Sequence, residues 1–445
     1  MKEQISVRTQ IPGPKAAKIL NTLQKKNGGW STVYPFVHSE TGEGSGCYFQ
    51  DIDSNTFLDF GSQISSNPLG YNHPALLETA KDYLKRTPLK FAGQDFTVKE
   101  HLDMIEELLS IAPHSMHANA AFLINSGAEA VENAIKCAMR SRPATKLGIS
   151  MTGAFHGRTL GALSCTNSKL VQKKGYLSIP MRRLSFSDNA GEELEKLLSR
   201  EVAPAEVGFV IVEAIQGEGG YNIASQKMMR DLRKITKQQN IPFIADEVQS
   251  GMGRTGTWWA FEHFGIAPDF FTSAKALQVG AVVANKNWFP NESGAISSTW
   301  GGGHVLDLAM GITTIKTIKK HKLLQKNAEH GAYLRQALAE LAQDSAGKFK
   351  TSLIQNIRGK GLMNAFDLPT KKMREDIVLQ LLKQGIVVLG CGKTGIRLLP
   401  PYIVTKKEID IFLEQLESAL KICNKKGPVH TGPICSYGMC ADMHT

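Results

Sequence analysis

"NIPFIADEVQSGMGRTG", residues 240–256, decides between two kinds of α/β fold. Residues 241–245 are mostly apolar and read as a short buried strand. They run directly into Asp246 and Glu247, and the glycines that follow, Gly251, Gly253 and Gly256, formally match G-x-G-x-x-G. A dinucleotide site of that pattern needs a tight turn straight after the strand and a helix opening within the glycines. Here two acids stand where the turn belongs, and "TWWAFEHFG" (257–265) is short and aromatic for a helix. The glycines are therefore expected to form a loop, and the acid at the strand's end to serve a different cofactor.

On either side of that strand, short apolar runs alternate with helical patterns. Strands are predicted over 121–124, 147–150, 208–212, 243–245 and 269–272. Between the first two, "AEAVENAIKCAMRS" (128–141) puts Val131, Ala134, Ile135 and Ala138 on one helical face. Such alternation predicts a large, mainly parallel sheet covered on both faces. With 445 residues, the chain exceeds the ~250–300 at which a single core stops growing, so two domains are expected. Residues 1–70 read as an N-terminal arm plus part of the smaller domain. They include a hairpin in "CYFQDIDSNTFLDF" (47–60) that turns at Asp53-Ser54-Asn55. Residues 71–305 read as the large domain, 306–425 as the rest of a smaller α+β domain, and 426–445 as a disordered tail.

The formal net charge is +11, but lysine and arginine are scattered among acids and no nucleic-acid module accompanies them. Small anions are expected as partners, not nucleic acid. No run approaches the ~20 apolar residues of a membrane span, and "VGAVVA" (279–284) is too short. Seven cysteines, an odd number with wide spacing, fit reduced thiols. Together with an N-terminal "MKEQISVRTQ" that has no targeting pattern, they predict a cytoplasmic protein. No metal is expected, because His430, Cys435, Cys440 and His444 match no zinc spacing.

Open α/β sheets hold ligands at the carboxyl ends of their strands. After the first predicted strand, Asn125-Ser126-Gly127-Ala128 opens a helix. Ser126 or Asn125 can cap it, Ser126 and Glu129 have capping-box spacing, and the amides near Gly127 and Ala128 make a phosphate seat. After the second, "GAFHGRT" (153–159) offers Phe155 as a flat apolar surface and Arg158 as a carboxylate fork. The third delivers Glu213 and then "QGEGG" (216–220) with Glu218, and the fourth delivers Asp246. After the fifth comes Lys275, the only charge between Asp269 and Lys286. Three residues past a strand, its amine can reach the same crevice, where desolvation would make it a nucleophile toward an aldehyde. Phosphate seat, aromatic plate, carboxylate and isolated lysine are what pyridoxal phosphate requires. Lys275 would form the Schiff base, and Asp246 would keep the pyridine nitrogen protonated.

With these motifs in place, the chain resembles the class III (omega-amino acid) aminotransferases over roughly residues 10–425. The matching stretches are "NSGAEAVENAIK" (125–136), "GAFHGRT", "VEAIQGEGG" (212–220), "IADEVQSGMGRTG" (244–256), "TSAK" (272–275) and "STWGGG" (298–303). "SQISSNPLGYNHPALL" (62–77) and "VVLGCGKTGIRLLPP" (387–401) are similar to the 4-aminobutyrate branch. "SSTWGGGHVLDLAM" (297–310) and "RGKGLMNAFDLPT" (358–370) are similar to the lysine 6-aminotransferase branch. The resemblance implies the pyridoxal-phosphate fold type I, aspartate-aminotransferase-like. Lys275 would also shuttle the proton, Asp246 would pair with the ring nitrogen, Val248 and Phe155 would sandwich the ring, and Gln249 would meet its phenolic oxygen. Ser126, Gly127, Ala128, His156 and Glu213 would complete the cofactor's surroundings. Thr299 would bind phosphate from the neighbouring subunit, which implies a homodimer with shared active sites.

The implied reaction moves the terminal amino group of an ω-amino acid to 2-oxoglutarate, giving a semialdehyde and glutamate. The donor is 4-aminobutyrate first and the ε-amino group of lysine next. Ile64, Arg158, Glu218 and Arg397 would meet substrate. Arg158 would hold the carboxylate remote from the amine, and Arg397 the α-carboxylate of the acceptor. Glu218 would neutralise Arg397 when the donor lacks an α-carboxylate. Ornithine or acetylornithine aminotransferase is an alternative, as is an amino acid racemase of the same fold. Retention of Arg397 and Glu218 argues for transfer. Gly61 departs from the tyrosine of the mitochondrial-type 4-aminobutyrate enzyme, which predicts a more open pocket wall. No closely spaced cysteine pair matches the iron–sulfur site of some such enzymes.

Overall fold

Val207–Val212 (VGFVIV) is buried at every residue, as a parallel strand covered on both faces must be. It lies near the middle of a seven-stranded sheet in the computed structural model, which describes residues 2–29, 34–86, 96–296, 302–349 and 353–426. The strand order is Ala120–Ile124, Gly280–Ala284, Phe270–Ser273, Phe243–Asp246, Val207–Val212, Leu147–Met151, Met181–Leu184. The last five run parallel, and Gly280–Ala284 is antiparallel to both its neighbours. All five strands expected from the sequence are therefore present. Two more were not foreseen. "MRRL" at the sheet's edge has no apolar run, and "GAVVA" reads as apolar without revealing its direction.

This sheet belongs to one of two compact units, Pro74–Ala328; the other comprises Met1–His73 and Glu329–Thr445. Helix Gly127–Arg140 buries Ala130, Val131, Ala134, Ile135, Cys137 and Ala138. That face packs with Phe209, Ile211, Ile244, Phe270 and Val282 of the sheet. Its alanines let the helix lie close to the strands, while Val131 and Ile135 each contribute about 1.5–3 kcal/mol of apolar burial. None of the described helices is long and apolar enough to cross a membrane.

Among the described residues, the other unit holds two four-stranded sheets. The expected hairpin is Tyr48–Gln50 against Thr56–Asp59. Asp51 builds its turn by accepting hydrogen bonds from the amides of Asp53 (3.0 Å) and Asn55 (2.7 Å), with Ser54 left-handed at φ +65°. The second sheet contains Gly395–Leu398, paired with Met363–Asp367 and Leu389–Cys391. After the hairpin, four consecutive non-glycine residues, Ser62, Gln63, Ile64 and Ser65, have φ of +44°, +47°, +60° and +69°. Each costs roughly 1–2 kcal/mol for an L-residue, so the turn must be held from outside. Asp59 holds it. Its Oδ1 accepts from the amides of Gly61 (2.7 Å) and Ser62 (2.8 Å), and its Oδ2 from the Tyr71 hydroxyl (2.8 Å). The tail from residue 427 onward lies outside the described residues.

Candidate active site

Ser126 has extended backbone and caps helix Gly127–Arg140, its hydroxyl accepting from the Glu129 amide at 3.2 Å. The Glu129 carboxylate reaches back one residue further than the usual capping box, to the Asn125 amide at 2.9 Å. The amides of Gly127 and Ala128 are first-turn donors with no carbonyl a turn behind them, so they suit an anion. Gly280 makes room for this entry. A Cβ there would lie 2.4 Å from the Ser126 carbonyl oxygen.

The glycines measure how closely the loops of this unit converge. A Cβ on Gly127 would meet Val248 Cγ1 at 2.7 Å and Ala274 Cβ at 3.4 Å. One on Gly157 would meet Ala128 Cβ at 2.9 Å, and one on Gly217 would meet Gln249 Oε1 at 2.7 Å. The motifs around Gly127, Phe155, Gly217, Asp246 and Lys275, scattered over the chain, thus come together at the carboxyl end of one sheet.

Three donors fix the Asp246 carboxylate, which is 5% exposed. His156 Nδ1 lies 2.7 Å from Oδ2, while the Val248 amide and the Thr272 hydroxyl each donate to Oδ1 at 3.1 Å. A carboxylate partner gives Nδ1 the imidazole proton. Nε2 of the same ring is buried with no hydrogen-bond partner among the described residues. Glu213 is also buried, and backbone occupies both its oxygens: Oε2 accepts from the Phe155 amide (3.0 Å) and Oε1 from the Gly217 amide (2.9 Å). Burial, reinforced by the Asp246 charge and opposed by His156, pushes its pKa up to about 7. Glu213 therefore braces the loop carrying Phe155 and Arg158 against the loop carrying Glu218. Gln216, which the sequence did not single out, ties the same loops: its Nε2 donates to the Thr152 carbonyl at 2.7 Å.

Lys275 opens the short 3-10 turn Lys275–Leu277 with φ +51°. A left-handed non-glycine residue is a strained conformation that persists where the surroundings impose it. Phe155 is half-buried, and the Arg158 guanidinium lies 6.0 Å from its ring centre while remaining exposed. Glu218 is half-buried. In the other unit, Arg397 is 3% exposed and sits opposite Ala365 and Leu389 in its sheet. Its charge reaches Tyr34, whose hydroxyl donates to the Val388 carbonyl at 2.7 Å. Ile64 sits in the left-handed turn and is 36% exposed. Thr299 lies outside the described residues.

The fourth-strand glycines do not open a helix. Gly253 and Gly256 are left-handed at φ +93° and +92°, and a Cβ on Gly251 would strike the Glu247 carbonyl at 2.7 Å and the Trp259 ring at 2.8 Å. They curl the chain around a buried tryptophan, as the rejection of a dinucleotide site requires. Pyridoxal phosphate fits the residues present. Bare helix-entry amides suit its phosphate, the missing side chain at Gly127 lets Val248 and Ala274 approach that helix entry closely, and the buried Asp246–His156 pair suits a protonated nitrogen.

A family model described as aminotransferase class-III matches residues 33–420. An acetylornithine aminotransferase of Prochlorococcus marinus is 35% identical over 86% of this chain and 91% of its own length. A 4-aminobutyrate aminotransferase of Mycosarcoma maydis is 31% identical over 93% and 90%. Among solved structures, a lysine aminotransferase from M. tuberculosis superposes with TM-score 0.83 at 27% identity, covering 92% of this chain and 99% of that one.

Proposed function

The chain belongs to the class-III aminotransferases, and on that footing we propose that it moves the terminal amino group of an ω-amino acid, with 4-aminobutyrate the leading donor, to 2-oxoglutarate. It is a pyridoxal-phosphate-dependent transaminase of fold type I. The observation that carries the donor assignment is the contrast between two arginines. Arg158 is exposed beside the Phe155 ring, and Arg397 is 3% exposed among strands. An exposed fork suits a carboxylate at the far end of a donor. A buried one suits an α-carboxylate.

Bound pyridoxal phosphate supplies an electron-accepting ring that lets a proton leave the carbon next to the donor nitrogen. With it bound, Lys275 would take up and move that proton on its amine, and Asp246 would hold a proton at the pyridine nitrogen. The Gly127 and Ala128 amides, with Ser126, hold the phosphate. Phe155 and Val248 flank the ring and exclude water, and Gln249 meets its phenolic oxygen. His156 and Glu213 act on these groups, not on substrate. Ile64 would meet substrate, and the working form is a homodimer with shared active sites.

A donor screen with 2-oxoglutarate tests this. The highest kcat/KM is expected for 4-aminobutyrate, then lysine, with glutamate formed in each case and borohydride fixing the cofactor to Lys275. Preference for acetylornithine or ornithine would overturn the donor and favour the branch of the 35% identical relative. Racemisation without glutamate formation would overturn transfer itself.

A further inference from the structure

We propose that Thr272 is a positioning residue for the reaction, its buried hydroxyl aiming the Asp246 carboxylate at the pyridine nitrogen. This rests on the assignment of Asp246 to that nitrogen. A carboxylate's terminal torsion is broad and roughly two-fold, so its neighbours, not its own rotamer, decide which way the oxygens face. Of the three donors on Asp246, the Val248 amide belongs to its own loop and His156 to the loop carrying Phe155 and Arg158. Thr272 alone reaches it from the sheet.

The register explains how. Asp246 and Thr272 are opposed in the parallel pair Phe243–Asp246 and Phe270–Ser273, so both side chains leave the same face. The Thr272 hydroxyl donates to Oδ1 at 3.1 Å, and its carbonyl accepts from the Glu247 amide at 3.0 Å. Main chain and side chain of one residue thus fix the strand end and the acid together. Thr272 is 0% exposed, and a hydroxyl is costly there unless it is bonded, so packing alone would favour valine. β-branching restricts its χ1, which makes it a stiff donor. Three residues later the same segment delivers Lys275, so one strand end sets both the lysine and the acid.

The test is Thr272→Val in the holoenzyme, read by the pH midpoint of the bound cofactor's visible absorbance change and by retention of pyridoxamine phosphate on ultrafiltration. Retention should weaken about tenfold. The midpoint should move upward, because an acid that has lost a donor draws the shared proton away from the ring. Thr272→Ser should restore both. A valine variant with wild-type midpoint and retention, or a serine variant as impaired as the valine one, overturns the proposal. Thr272→Ala carries the same readouts should valine fail to fold. Asp246→Asn separates the two claims: if it moves neither readout, the assignment of Asp246 falls. If it moves both while Thr272→Val moves neither, only the proposal for Thr272 falls.

Discussion

Asp246 and Glu247 are neighbours at one strand end, both buried, yet their surroundings differ in kind. Side-chain groups from two distant segments, His156 and Thr272, converge on Asp246 along with one amide. Glu247 points the other way. Its oxygens accept from the Ala260 and Phe261 amides, both at 2.9 Å, and from the Ser250 hydroxyl at 2.8 Å. It is the peg on which the glycine loop hangs. Successive residues of a strand face opposite sides, so on the proposed assignment the adjacent acids divide into one that serves chemistry and one that serves the fold.

The hardest blow to that division is Asp246→Asn. Turnover per folded molecule should fall on the order of 10²-fold or more; near wild-type turnover would erase the distinction. Glu247→Gln should do the reverse. It sets an amide N–H against a backbone N–H, costing about 1–3 kcal/mol of stability by denaturant titration, while kcat of the folded fraction stays within about twofold. The subtlest effect is on pH. Burial pushes Glu247 from its ordinary 4.5 up to about 7, so the folded state binds that proton more tightly than the unfolded. Its contribution to stability is full below about 4.5 and is lost as pH rises through about 7. Melting temperatures taken across that window should therefore decline in the wild type more steeply than in Glu247→Gln. Parallel slopes would place the titration elsewhere, with Glu213, shifted the same way, as the next candidate.

Much of this was legible in the sequence because each site motif follows an apolar run, and five such runs in alternation with helices leave little choice of sheet. What stayed hidden depends on register. That Thr272 lies opposite Asp246, that Gly280 must be small because Ser126 passes over it, and that Glu213 binds two loops are facts of pairing between distant segments. The left-handed turn Ser62–Ser65 was hidden for another reason. None of its residues is glycine, and the Asp59 carboxylate that sustains it does so through bonds no local pattern announces.

The antiparallel strand Gly280–Ala284 is inserted between Ala120–Ile124 and the parallel strands. Among the described residues, Ala120–Ile124 thus has no partner in the sheet except a segment made long after it. On the ribosome, where synthesis proceeds from the N-terminus, the strand that leads into Gly127 emerges early yet gains its neighbour in the sheet only when residue 284 has been translated. A nascent chain stopped short of that point would carry nearly every motif named above while the strand leading into Gly127 still lacked its neighbour.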